Sequence, residues 1–126
     1  SLEARGFVVT NNNRDAAPTP ENTDVVLYVL AEESSFGKSR IVLPWKTLQP
    51  GIPHLMTRYW HDIPTIMVSF GHTYYLQDAP RVPVYINAYS IVPDAQLAVA
   101  ERLTGNRGFS GVSPIDAFAG APDAKY

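Results

Sequence analysis

The sequence has no cysteine. That removes disulfides, thiolate nucleophiles and cysteine-ligated zinc from the chemistry of these residues, and it suits a reducing compartment. Long apolar runs are missing as well. The longest, Val25 to Ala31, falls far short of the roughly 20 residues that a membrane-spanning helix requires, and no stretch reads as a signal peptide. A cytoplasmic location is favoured on these grounds, with an upstream signal left open. Charge of one sign is not in excess either: ten Lys and Arg oppose twelve Asp and Glu, for a formal net charge of −2. The basic residues are scattered from Arg5 to Lys125, so neither nucleic acid nor a membrane surface is an expected partner.

What is present is the material of a single folded domain. A chain of 126 residues holds one core, and 45% apolar against 17% charged residues is a globular balance with little allowance for disorder. Asp24 to Leu30 is almost continuously apolar, which marks a strand covered on both faces and placed near the centre of a sheet. Thr65 to Phe70 and Val84 to Ala88 are two further short strand runs. The last leads into an alanine-rich helix closed by Gly105, with Ser90 as its N-cap and Pro93 in its first turn. This order predicts an α/β fold, a three-layer α/β/α sandwich with a mostly parallel sheet. His54 to His61 has apolar groups at helical spacing and is expected as a crossover helix, and His72 to Pro80 as a brief helical turn. At the start, Ser1 to Arg5 reads as the last turn of a helix capped by Gly6, with Phe7-Val8-Val9 opening a strand. The chain is thus expected to begin mid-unit, lacking a first strand, as one domain over 1–126 with an irregular tail over 106–126.

The ordered set Pro64-Thr65-Ile66-Met67-Val68-Ser69-Phe70-Gly71, Leu76, Pro80, Val82-Pro83, Tyr85-Ile86-Asn87-Ala88-Tyr89, Gln96, Ala98-Val99-Ala100, Leu103 with Gly105, Phe109, Gly111, Ser113-Pro114 and Asp116 resembles the C-terminal domain of glycoside hydrolase family 3, in particular bacterial β-N-acetylhexosaminidase-type members. The likeness runs from about Asp24 to Tyr126. It implies a (β/α)₈ barrel N-terminal to this domain in the same parent protein, carrying an aspartate nucleophile and a histidine–aspartate acid/base pair. It also implies a parent that hydrolyses terminal β-linked N-acetylhexosamine residues with retention; no motif in the sequence calls for a cofactor. No motif of the Lys-His-Phe-Pro-Gly-His kind occurs in this sequence, so no catalytic residue is carried over and the chain alone is expected to be inactive.

The candidate substrate-facing or barrel-facing residues are Glu32 and Glu33 after the first long strand, and His72 and Tyr74 after the second, where a parallel sheet presents its functional edge. A retaining glycosidase needs two carboxyl groups about 5 Å apart. Adjacent residues on an extended segment point to opposite faces, so Glu32 and Glu33 do not form that pair. His54 and His61 are seven apart, but a zinc site needs further ligands and none stands at ligand spacing. Neither Ser69-Phe70-Gly71 nor Ser110-Gly111-Val112-Ser113 matches a nucleophile elbow or a dinucleotide loop. Trp45, Tyr59, Trp60, Tyr74, Tyr75, Tyr85 and Tyr89 are better explained by core or interdomain packing than by a sugar-stacking platform. Two other readings stay open: a free-standing carbohydrate-binding or regulatory module, and an autonomous hydrolase using Glu32 or Glu33.

Overall fold

A computed structural model describes residues 1–13, 15–32, 42–49, 51, 55–118 and 120. Three strands, β1 (Val26–Leu30), β2 (Thr65–Ser69) and β3 (Val84–Asn87), lie side by side in sequence order and run parallel. Val26 stands opposite Thr65 and Leu30 opposite Ser69; Ile66 stands opposite Val84 and Ser69 opposite Asn87. Parallel pairing sends each connection back across a face of the sheet, so all three strands finish at one edge. The α/β architecture expected from the sequence is the one observed.

The strand period of two divides the side chains between two layers. On one face Val26, Tyr28, Leu30 and Met67 are buried with Leu43, Tyr59, Ile63, Tyr75, Ala79 and Val82. Helix α1 (Trp45–Leu48) and short 3-10 turns at Tyr59–His61 and Tyr75–Gln77 cover this side. On the other face Val68 and Phe70 are buried against Val99 of helix α2 (Pro93–Leu103), with Leu27, Ile66, Ile86, Ala88 and Leu103 packed around them. The first layer is held by a buried polar chain as well as by apolar contact. Gln49, fully buried, donates from Nε2 to the Tyr28 hydroxyl at 2.8 Å and accepts from Arg58 Nη1 at 3.4 Å. The Arg58 guanidinium lies 3.8 Å from the centre of the Trp45 ring, a cation–π contact.

Helix α2 begins at Pro93, whose missing N–H is no loss in a first turn, and ends in a complete Schellman closure. Gly105 N–H bonds Arg102 O at 3.1 Å, Asn106 N–H bonds Glu101 O at 3.0 Å, and Gly105 supplies the left-handed residue at φ +76°. The expected cap differs: Val92, not Ser90, flanks the first turn, and the Ser90 hydroxyl accepts from Val92 N–H at 3.3 Å instead. None of the described helices is long and apolar enough to cross a membrane.

Three further expectations are corrected. Phe7-Val8-Val9 forms no strand and is exposed, because no described strand offers it a ladder. The helix expected over His54 to His61 is only the 3-10 turn Tyr59–His61 within the described residues, His54 itself lying outside them. Arg58 Nη1 occupies the carbonyls of Leu55 and Thr57, both at 2.9 Å, which diverts acceptors that a helix uses for its own N–H groups. Finally, β1 is not central: among the described strands it sits at one edge, and β2 holds the middle. At the N-terminus, the expected last helical turn is a 3-10 turn at Glu3–Arg5, closed by Gly6 at φ +91°.

Candidate functional site at the carboxyl edge of the sheet

The parallel ladder continues past the strands and lays out their exit loops. Phe70 N–H bonds Leu30 O at 2.8 Å, Ala88 N–H bonds Ser69 O at 2.8 Å, and His72 N–H reaches Glu32 O at 3.3 Å. The Ser69 hydroxyl donates to the carbonyl of His72, and the Tyr85 hydroxyl donates to that of Thr73 at 3.2 Å. Ladder bonds of the backbone and two hydroxyls from the strands together set the rim, and the side chains of residues 72–74 are presented from that base.

Three of the four residues expected at this edge are brought together there. Glu32 is exposed and its carbonyl holds the His72 amide. The His72 ring packs at 5.5 Å from the Tyr74 ring and meets Tyr75 edge-on at 5.2 Å. Glu33, and with it the rest of the polar loop through Arg40, lies outside the described residues. Burial holds the His72 imidazole below its usual range, so it favours the neutral form. Burial, followed by the negative charge of Glu32, pushes the Tyr75 phenol up, and burial pushes Tyr85 up to about 12, the Ser69 side chain opposing it. The rim thus offers a carboxylate, a neutral imidazole and phenols that stay protonated at neutral pH. These groups accept and donate hydrogen bonds to a polar ligand but do not amount to a nucleophile with its base. Among the described residues there is no group of three His, Cys, Asp or Glu side chains placed to hold a metal.

Beside this rim the structure shows features that the sequence did not announce. Tyr89, first past β3 and Ala88, has a left-handed backbone at φ +61°, and its hydroxyl shares a 3.0 Å hydrogen bond with Ser113 Oγ. A tyrosine in that conformation carries no sequence signal, since glycine and asparagine are the residues that advertise it. Asn87 Oδ1 and the Tyr75 hydroxyl are buried without a hydrogen-bond partner among the described residues. A cavity of about 670 Å³ separates β3 and α2 from the following segment, lined by Ile86, Ala88, Ala98, Val99, Phe109 and Ile115 among others. The aromatic residues Tyr28, Trp45, Tyr59 and Trp60 form one packed cluster, with ring centres 6.1 to 6.5 Å apart, rather than a platform for sugar.

No family model matches the chain. Individual proteins do. A β-N-acetylglucosaminidase/β-glucosidase of Cellulomonas fimi is 35% identical over 112 residues, which is 86% of this chain and 19% of that protein. The solved structure of β-glucoside phosphorylase BglX superposes with a TM-score of 0.77 at 31% identity, over 98% of this chain and 22% of the other. The same phosphorylase bound to 2FGlc gives 0.74 at 30% identity, over 94% of this chain. The chain is a glycoside hydrolase family 3 C-terminal domain. It spans about a fifth of the length of the relatives it matches. In this family 3 domain, Glu32, His72 and Tyr74 line the edge at which parallel sheets ordinarily meet ligands and neighbouring domains.

Proposed function

We propose that this domain is the non-catalytic, accessory part of a family 3 enzyme that hydrolyses terminal β-linked N-acetylhexosamine residues. In this reading the nucleophile and the acid/base pair belong to an N-terminal (β/α)₈ barrel of the same polypeptide. The domain packs against that barrel through the carboxyl edge of its sheet, where Glu32, Glu33, His72 and Tyr74 shape the rim of the sugar cleft. The observation that carries the reading is the extent of the likeness: relatives whose names state glycoside chemistry match this chain over only about a fifth of their own length. The chemistry of the described rim residues agrees, because hydrogen-bonding groups with no second carboxylate among them suit orientation of a sugar and not cleavage.

The test uses 4-nitrophenyl N-acetyl-β-glucosaminide with the full-length polypeptide and with residues 1–126 alone. The expected outcome is turnover by the first and none by the second. In the full-length enzyme, His72→Ala and Tyr74→Phe should raise KM several-fold while leaving kcat within about twofold, the pattern of lost binding that is equal in ground and transition states. Turnover by residues 1–126 that is lost in Glu32→Gln overturns the proposal in favour of an autonomous hydrolase. Saccharide binding by those residues, in a protein without a barrel, favours a free-standing module. A second reading of the parent reaction rests on the neighbours' printed name, phosphorylase: the glycosyl group passes to phosphate instead of water. Formation of a sugar 1-phosphate when inorganic phosphate is added distinguishes it from hydrolysis.

A further inference from the structure

Left-handed backbone is used five times among the described residues, and four of the five positions are glycine: Gly6, Gly51, Gly105 and Gly120. The fifth is Tyr89, at φ +61°. Most residues with a Cβ are strained there, because that carbon is forced toward the following carbonyl oxygen, and a bulky side chain is an outlier. Strained residues persist where their surroundings over-determine them, and they gather at ligand clamps and active sites. Both ends of Tyr89 are fixed. The main chain is tied just before the turn, where Ala88 N–H closes the ladder on Ser69 O at 2.8 Å. At the other end, Ser113 Oγ donates to Ile115 O at 2.9 Å, which leaves it to accept from the Tyr89 hydroxyl at 3.0 Å. The side chain between these anchors is not enclosed. Tyr89 stays 46% exposed, whereas Tyr28, Tyr59 and Tyr75 are each 4% exposed or less. Core packing therefore does not account for the strain, since glycine would make the same turn without it and little buried surface would be lost.

Position supplies the role. Tyr89 leaves the sheet at its carboxyl edge, as the second residue past β3. Its phenol stands close enough to Tyr85 to oppose ionisation of that group, and the Tyr85 hydroxyl holds the carbonyl of Thr73, between His72 and Tyr74. The left-handed turn thus brings an aromatic ring beside the rim that the accessory-domain reading places at the sugar cleft. A half-exposed ring whose hydroxyl is already engaged offers its apolar surface, and the complement to that surface on a pyranose is the C–H face, not the hydroxyl edge. We infer that Tyr89 is a substrate-contacting residue of the parent enzyme, its ring held in place despite a strained backbone so that a sugar ring of the β-glycoside stacks on it. Because the side chain is anchored at both ends, it has little freedom left to lose on binding. This deepens the accessory-domain proposal and rests on its claim that the carboxyl edge faces the cleft of a longer enzyme, though not on which sugar that enzyme takes.

The experiment replaces Tyr89 in the full-length polypeptide with the two residues that tolerate a left-handed backbone, glycine and asparagine. The substrate is whichever of 4-nitrophenyl N-acetyl-β-glucosaminide and 4-nitrophenyl β-glucoside is turned over faster. Tyr89→Gly and Tyr89→Asn should each raise KM at least about tenfold with kcat within about threefold. Both should melt within about two degrees of the parent, or above it, because the strain leaves with the ring. Tyr89→Phe keeps the ring and should hold KM within about threefold. An unchanged KM in the glycine and asparagine variants overturns the inference and leaves the accessory-domain reading intact. So does a loss of several degrees in both, because the ring then packs against the remainder of the polypeptide, the interdomain role that residue order suggested. If the full-length polypeptide turns over neither glycoside, the accessory-domain reading fails by itself, and calorimetric binding of N-acetylglucosamine decides the role of Tyr89. Binding that weakens about tenfold in Tyr89→Gly sustains the inference, and equal binding, or none by the parent, overturns it.

Discussion

Replacing Gln49 tests whether the buried polar chain under the sheet acts as a unit. Gln49 is fully buried, its Nε2 donates to Tyr28 at 2.8 Å, and the Tyr28 ring is itself 4% exposed. Gln49→Leu keeps most of the volume but deprives the Tyr28 hydroxyl of its donor and removes the carbonyl facing Arg58. A buried polar group left without its partner costs about 1–3 kcal/mol, and the lost hydrogen bond is within that figure. Arg58 keeps its two backbone acceptors, so its share is small. The expected loss is about 2 kcal/mol. Tyr28→Phe should cost about 1–2 kcal/mol by the same reasoning in reverse. The double variant should cost less than the two single variants together, by about 1 kcal/mol or more, because phenylalanine and leucine leave no orphaned group at that contact. Urea unfolding gives these values directly, and Trp45 and Trp60 report it, since both rings belong to the same cluster. Strict additivity, with the double variant losing the full total, refutes the claim that Gln49 and Tyr28 are coupled.

Alkaline pH supplies a second expectation. Burial lifts the Tyr28 phenol to about 12, opposed by the Gln49 hydrogen bond, and burial lifts Tyr85 to about 12 as well. Both values exceed the unfolded value near 10, so the folded state keeps protons that the unfolded chain releases. Stability is therefore full below pH 10 and falls as pH rises from 10 through 12, by a few kcal/mol for the pair, with Tyr28→Phe removing about half of the slope. Urea midpoints measured from pH 8 to 12 check this. Gly105→Ala should cost about 1 kcal/mol in the same assay: no atom lies within 4 Å of the added methyl, so the left-handed backbone at φ +76° is the whole of the cost. A loss beyond about 3 kcal/mol contradicts that account.

The sheet was legible because its strands carry two independent signals. The first, a proline directly before the strand, marks β2 (Pro64) and β3 (Pro83); the second, apolar residues on alternating or all positions, marks all three, so Thr65, Val84 and Val26 announced where strands begin to within two residues. The helix α2 announced itself by Pro93 at one end and Gly105 at the other. The segment over 54–61 misled because apolar spacing says nothing about an arginine that binds the local carbonyls, and Arg58 does so only once Trp45 and Gln49 have been brought to it by the fold. The edge position of β1 was hidden for a different reason: an apolar run records cover on a strand's two faces and carries no signal of whether a neighbour pairs along each edge. Of the rim, Glu32, His72 and Tyr74 followed from the rule that parallel strands end at a common edge. Tyr89 and Asn87 did not, because a left-handed tyrosine and an unpartnered amide oxygen are properties of coordinates and leave no trace in residue order.

The bonds from Phe70 to Leu30, from Ala88 to Ser69 and from His72 to Glu32 fasten the loops main chain to main chain. Such a mounting separates two kinds of evolutionary freedom. Side chains at positions 32, 72 and 74 can be exchanged while the track beneath them stays laid, so relatives of this domain can drift in what they touch without drifting in shape. A library randomised at those three positions should for that reason return mostly folded members.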